Sequence, residues 1–244
     1  MPGPVMTLII LPGMDGSGLL LQPFISALGP NFSVKIVRYP VTGPLGYAEL
    51  ERLASAALPE DGLFFILGES FSGPIAAAIA SAFPARVQGL ILCCSFVKNP
   101  RPALAWLKPV IPLVPVARAP QAVLSHLLLG GASSGAMRSA LAQALAHVSA
   151  PALRARLRAV LEVDVSEKLA ALDTPILYLR AAHDRVVPRG AADKIARLNP
   201  RVRIVQIDAP HFLLQAAPAD AARAVADFAL GAQNAGIVLS SGAR

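Results

Sequence analysis

"FFILGESFSGPIAA", Phe64 to Ala77, decides the reading of this chain. An apolar run ends at Gly68, Ser70 follows two residues later, and an alanine-rich stretch with Pro74 in its first turn comes next. Strand, sharp turn and helix is the local structure these residues predict, because Gly68 permits a tight turn and Pro74 suits the first turn of a helix. Ser70 then sits at the apex of the turn with helical N–H groups behind it. Two roles fit it there: helix cap or nucleophile. The spacing departs from G-x-S-x-G, since Ser72 occupies the fifth place and the glycine comes one residue later, at Gly73.

Outward from this turn, short apolar runs alternate with helical patterns. Strands are predicted at 7–13, 33–39, 62–69, 87–95, 175–181 and 202–208, and helices near 18–28, 46–58, 71–83, 189–198 and 218–230. The runs are continuous rather than alternating, as parallel strands covered on both faces require. The fold class is therefore α/β: a mostly parallel sheet of about six strands flanked by helices. From Phe96 to about Thr174 no strand is evident, and a compact domain rarely spends so much chain on a loop. Residues 97–165 are assigned to a helical cap inserted into a core made of 1–96 and 166–244. Its apolar stripes are Met137, Leu141, Leu145 and Val148, then Leu153, Leu157, Val160 and Leu161. The terminal "GAQNAGIVLSSGAR" has no clear period and is expected to be loosely held.

Composition excludes several classes. With 244 residues, 55% apolar and 15% charged, the chain can bury a large core and is not disordered. No apolar run reaches the roughly 18 residues that span a membrane. Residues 1–12 lack the charged start of a signal peptide, and a cytoplasmic location is expected. Cys93 and Cys94, adjacent and the only cysteines, offer neither a disulfide framework nor a metal site, and are read as buried strand thiols. Nothing calls for a metal or a cofactor. "GMDGSG" lacks the spacing of a dinucleotide loop and the lysine of a phosphate loop.

The net charge of +7 is local. Residues 97–160 hold Lys98, Arg101, Lys108, Arg118, Arg138, Arg154, Arg156 and Arg158 and no acid, while the rest of the chain is nearly neutral. Solvated arginines account for this, as does a surface that meets an acidic partner. Only Trp106 among aromatic residues lies in the segment, which argues against nucleic acid.

A nucleophilic serine needs a base, and the base needs an acid to orient it. Of the four histidines, His126 and His147 fall in the cap and read as surface or packing residues, while His183 and His211 follow strands. Ser70, Asp184 and His211 occur in that order at the C-terminal ends of three strands, the edge where open parallel sheets build their sites. Asp208 is a poorer acid, and His183 reads as a structural or pocket-lining residue. After the first strand, the glycines of "LPGMDGSG" let the backbone approach a ligand, so the N–H groups of Met14 and Phe71 are the candidate oxyanion donors. Met14, Trp106 and Phe212 are candidates for substrate contact.

Together, "GESFSG", "LPGMDGSG", "AAHDRVVP" and "APHFLLQ" resemble the nucleophile, oxyanion, acid and histidine segments of the α/β-hydrolase family. The resemblance runs from about residue 7 to 230. It implies a helical cap, a sheet that begins at the strand usually numbered third, and hydrolysis of a carboxylic ester through an acyl-enzyme, with no cofactor. Pro12 stands where many members have histidine, and Ser72 where they have glycine, a place the resemblance puts against a neighbouring strand. In size and basic cap the chain is similar to members that cleave a methyl ester from pimeloyl acyl-carrier protein in biotin synthesis. That likeness implies docking of an acidic carrier on Arg138, Arg154, Arg156 and Arg158. Thioesterase, acyltransferase, cofactor-free haloperoxidase and non-catalytic binding roles use the same scaffold, and the sequence does not define the oligomeric state.

Overall fold

A computed structural model describes residues 5–116, 120–131 and 134–241. Six strands form one sheet: β1 (Met6–Leu11), β2 (Phe32–Ile36), β3 (Phe64–Glu69), β4 (Val87–Cys93), β5 (Ile176–His183) and β6 (Val202–Pro210). The order is β2-β1-β3-β4-β5-β6, and every neighbouring pair is parallel. Each predicted strand is present, within a few residues at either end.

Side-chain alternation splits the core into two layers. Ile9, Leu11, Phe64, Ile66, Leu90 and Tyr178 face one side, where they meet α2 (Tyr47–Ala56), α3 (Gly73–Ala82) and α8 (Gly190–Leu198). Leu8, Ile10, Phe65, Leu67, Ile91 and Leu177 face the other, against α1 (Gln22–Leu28) and α10 (Pro218–Ser241). Both faces are covered, which is why the strands read as continuous apolar runs. Helix α10 continues to Ser241 instead of ending near residue 230. A helix already docked through Ala221, Val225 and Phe228 propagates at one hydrogen bond per added residue and needs no apolar period to do so.

The order in which strands are added reverses at β1: β2 pairs on one side of it and β3 on the other, all in parallel. The loop after β1 and the turn after β3 thus diverge at the edge where α/β sheets leave a crevice.

Between β4 and β5 lie the 3-10 segment Pro102–Leu113, α4 (Gln121–Leu129), α5 (Gly135–Ala146), α6 (Ala150–Glu162) and α7 (Ser166–Ala170). The two ends of this excursion are tied together. Asn99 N–H donates to Val163 O at 2.9 Å, Val165 N–H to Val97 O at 2.8 Å, and Lys98 pairs with Asp164 at 2.6 Å. On α6 the buried residues are Ala152, Arg156 and Ala159. The predicted stripe Leu153, Leu157, Val160 and Leu161 is only half-buried, so the helix is rotated relative to the sequence reading. Among the described residues no helix is long and apolar enough to cross a membrane.

Candidate active site

Ser70 follows β3 directly with φ of 48°, the left-handed region that a side chain enters only at a cost on the order of 1–3 kcal/mol. Its surroundings hold it there. The Ser95 hydroxyl donates to Ser70 O, and Tyr47 OH donates to Phe71 O at 2.9 Å. A Cβ on Gly68 would lie 2.7 Å from Ser72 O, so the turn could not close on a larger residue. A Cβ on Gly73 would lie 1.9 Å from Ser95 Oγ. The close approach to the neighbouring strand end therefore falls on Gly73, not on Ser72. Ser72 turns its hydroxyl the other way, to Pro12 O and Tyr39 OH.

His211, just after β6, is 3% exposed. Its Nε2 lies 2.8 Å from Ser70 Oγ, and its Nδ1 lies 2.9 Å from each oxygen of Asp184. Asp184 Oδ1 also accepts N–H groups from Val186 at 2.8 Å and Val187 at 2.9 Å, which fixes the carboxylate against its own loop. With Nδ1–H donated to Asp184, Nε2 is left to accept the serine proton. The structure thus brings together Ser70, Asp184 and His211 from three strand ends. His183 and Asp208 pair with each other instead, at 2.8 Å, with side chains 69% and 89% exposed. His183 also lines a cavity of about 320 Å³ beside Asp184. His126 and His147 are exposed, which leaves the surface reading of the two.

Cys93 and Cys94 are both buried and free. Cys94, Asp184 and His211 each bring a potential ligand atom within 4.8 Å of the others. Asp184 and His211 already bond each other, so the thiol is a packed neighbour of that pair.

The loop after β1 is held from several sides. Gly16 N–H donates to Gly13 O at 3.0 Å, Tyr39 N–H to Gly16 O at 2.9 Å, and Arg156 Nη1 to Met14 O at 2.7 Å. Gly16 adopts φ of 71°, and a Cβ there would press within 2.9 Å of Tyr39. No acceptor among the described residues engages the Met14 N–H. The first N–H groups of the helical turn beginning at Ser70, Phe71 among them, have no intrahelical partner.

Sequence reasoning missed Glu69. It is 7% exposed, and its carboxylate accepts Gly13 N–H at 3.0 Å and the Gln215 side-chain amide at 2.8 Å. One acid thus ties the β1 loop, the turn at Ser70 and α9 (Leu213–Ala216) behind His211. Burial pushes its carboxyl pKa up, opposed by the Gln215 bond. The signal was available: a lone acid closing a five-residue buried run, beside the candidate nucleophile.

Of the proposed apolar contacts, Met14 is half-buried, and the Phe212 ring centroid lies 6.1 Å from that of His211. Trp106 is 72% exposed and lines neither cavity. The Phe71 side chain belongs to the core, stacked on Tyr47 at 4.7 Å. Among the docking arginines, Arg156 is 1% exposed and does not belong to a docking surface. Arg138 is exposed, and Arg118 lies outside the described residues. Arg154 and Arg158 share one helix face as expected. They line a cavity of about 680 Å³ bounded by α6, Pro112 and the start of α2, and they share it with Glu49, Glu162 and Asp164. Arg158 is paired with Glu162 at 3.2 Å.

Residues 50–208, well over half of the chain, match the sequence model of the Hydrolase_4 family, described as serine aminopeptidase, S33. The chain belongs to this family of α/β hydrolases. The hydrolase is also 31% identical over 115 residues to phytyl ester synthase 1, chloroplastic, of Arabidopsis thaliana; the match covers 45% of this chain and 16% of that protein's length. Its fold resembles that of a thermophilic esterase from Thermogutta terrifontis (TM-score 0.77, 18% identity, 94% of this chain and 91% of that one). It also resembles an enol-lactonase from Burkholderia xenovorans (TM-score 0.73, 17% identity, 93% and 92%). At such identities the likeness concerns the fold.

Proposed function

We propose that the hydrolase cleaves carboxylic esters with an apolar acyl part, through a covalent acyl-enzyme on Ser70. The observation that carries this reading is the unbroken hydrogen-bond chain Ser70–His211–Asp184. His211 Nε2 takes the hydroxyl proton as Ser70 Oγ attacks the ester carbonyl, and Asp184 stabilises the imidazolium. The N–H groups of Met14 and Phe71 receive the oxyanion, each such donor contributing roughly 3 kcal/mol to the barrier reduction. Collapse of the tetrahedral intermediate breaks the bond to the alcohol, which leaves with the proton from His211. Water, deprotonated by the same imidazole, then releases the acid and regenerates Ser70. The half-buried Met14 and Phe212 offer the acyl group apolar contact.

A second reading, acyl transfer to an alcohol in place of water, is favoured by the partial likeness to a phytyl ester synthase. Carrier docking would rest on Arg138, Arg154 and Arg158, with Arg156 withdrawn into the interior. Turnover of p-nitrophenyl esters by the wild type, Ser70→Ala and His211→Ala, with and without a long-chain alcohol, tests both readings. Near-native turnover by either variant refutes the serine mechanism. A new ester formed from the added alcohol supports transfer.

A further inference from the structure

Arg156 projects from the middle of α6 and crosses out of the inserted helices into the core. Its Nη1 donates to Met14 O and its Nη2 to Pro40 O, both at 2.7 Å, and its guanidinium lies 5.7 Å from the Tyr39 ring centroid. Nη1 would touch a Cβ on Gly16 at 3.0 Å, so glycine at that position makes room for it. The Arg156 Nε is buried without a partner, and no carboxylate lies within ion-pair distance among the described residues. Desolvation opposes the charge, and Asp15 and Tyr39 support it only through space.

A buried cation held by two carbonyls is an expensive way to join a helix to a loop, because desolvating it costs several kcal/mol that no ion pair returns. Its position gives it another use. Met14 lies between two peptide units. The one before it is locked by the Gly16 N–H on Gly13 O, and the one after it by Arg156 on Met14 O. The backbone angles that aim the Met14 N–H are therefore set jointly by the loop itself and by a side chain from α6.

We infer that Arg156 is a positioning residue for the oxyanion hole, so that ester hydrolysis depends on α6 being seated against the β1 loop. This rests on the serine-esterase reading above. Seating or lifting α6 would then switch the hole between formed and unformed while Ser70, His211 and Asp184, held on the sheet, stay aligned.

The test uses the full chain with Arg156→Ala and Arg156→Lys, and measures ester hydrolysis, affinity for an alkyl boronic acid as a transition-state mimic, and folding by circular dichroism. Loss of one oxyanion donor costs roughly 10²–10³ in kcat, so kcat is expected to fall by up to about 10²-fold with KM changed less than about threefold, and boronate affinity to fall in parallel. Lysine keeps the charge but lacks the planar fork that reaches two carbonyls, so it too is expected to be slow, and it decides the matter if the alanine variant does not fold. Millimolar guanidinium is expected to restore part of kcat to folded Arg156→Ala, and methylammonium at equal ionic strength is not. Native kcat and boronate affinity in folded variants, or a kcat loss that only tracks loss of folded protein, overturns the inference. An inactive wild type, or an active Ser70→Ala, overturns instead the reading on which it rests.

Discussion

Ser72 donates its hydroxyl proton to the carbonyl of Pro12, and Tyr39 OH, 2.7 Å away, completes the chain by donating to Ser72 Oγ. The two positions at which this sequence departs from the commoner family pattern are thus partners. Burial raises the Tyr39 pKa, which keeps the phenol neutral and able to donate. Restoring the pattern by Ser72→Gly is expected to harm the protein, since Pro12 O and Tyr39 OH would both be left buried and unpaired. Ser72→Ala should lower unfolding free energy by about 1–3 kcal/mol in urea titrations, and Tyr39→Phe in that background should cost less than it does alone.

The choice of acid is open to direct measurement. Asp184 is bonded to His211, whereas Asp208 is bonded to His183 at the surface. Asp184→Asn is expected to lower kcat for a p-nitrophenyl ester by about 10⁴-fold, because an amide no longer holds the required tautomer. Asp208→Asn and His183→Ala should stay within about twofold of wild type, as exposed groups do.

Glu69 introduces a pH dependence of stability. Its folded pKa is raised above the ordinary 4.5 by burial, with Asp15 adding to the rise and Gln215, Gly13 and His211 opposing it. Between the ordinary and raised values the folded state binds more protons than the unfolded one, so stability falls as pH rises. The contribution is fully present below about 4.5 and lost as pH rises through the folded pKa. Glu69→Gln should remove that slope. Urea unfolding at intervals from pH 4 to 8 checks it: the variant minus wild-type difference should shift in the variant's favour as pH rises.

The tie between the two ends of the inserted helices behaves in the opposite sense. Lys98, through its hydrogen bond, lowers the Asp164 pKa to about 2, with Ser166 assisting. A depressed carboxylate stabilises above its unfolded value and loses that contribution as pH falls through about 2. Both side chains are 43% exposed, so salt screens the pair and the effect on global stability is small. Hydrogen exchange at the Asn99 and Val165 amides is expected to accelerate between pH 4 and 2 beyond the intrinsic pH effect. Asp164→Asn should show that faster exchange already at pH 4.

What the sequence by itself determined is what depends on near neighbours. Short continuous apolar runs bounded by glycine and proline read as strands covered on both faces, and residue type and chain order brought forward Ser70, Asp184 and His211 as candidates at strand ends. The candidate base and acid were legible because residue type and chain order restrict them to few positions, and the hydrogen bonds of His211 to Ser70 and Asp184 join those positions. The rotation of α6, the burial of Arg156 and the threefold role of Glu69 were not legible. Each depends on contacts more than 50 residues apart, such as Gly13 with Glu69 and Met14 with Arg156. Whether a charged side chain is solvated or interior is decided by which carbonyls and amides the packed chain leaves to receive it. Only the tertiary structure supplied those partners, and it moved Arg156 from the expected docking surface to the carbonyls of Met14 and Pro40 beside the loop after β1.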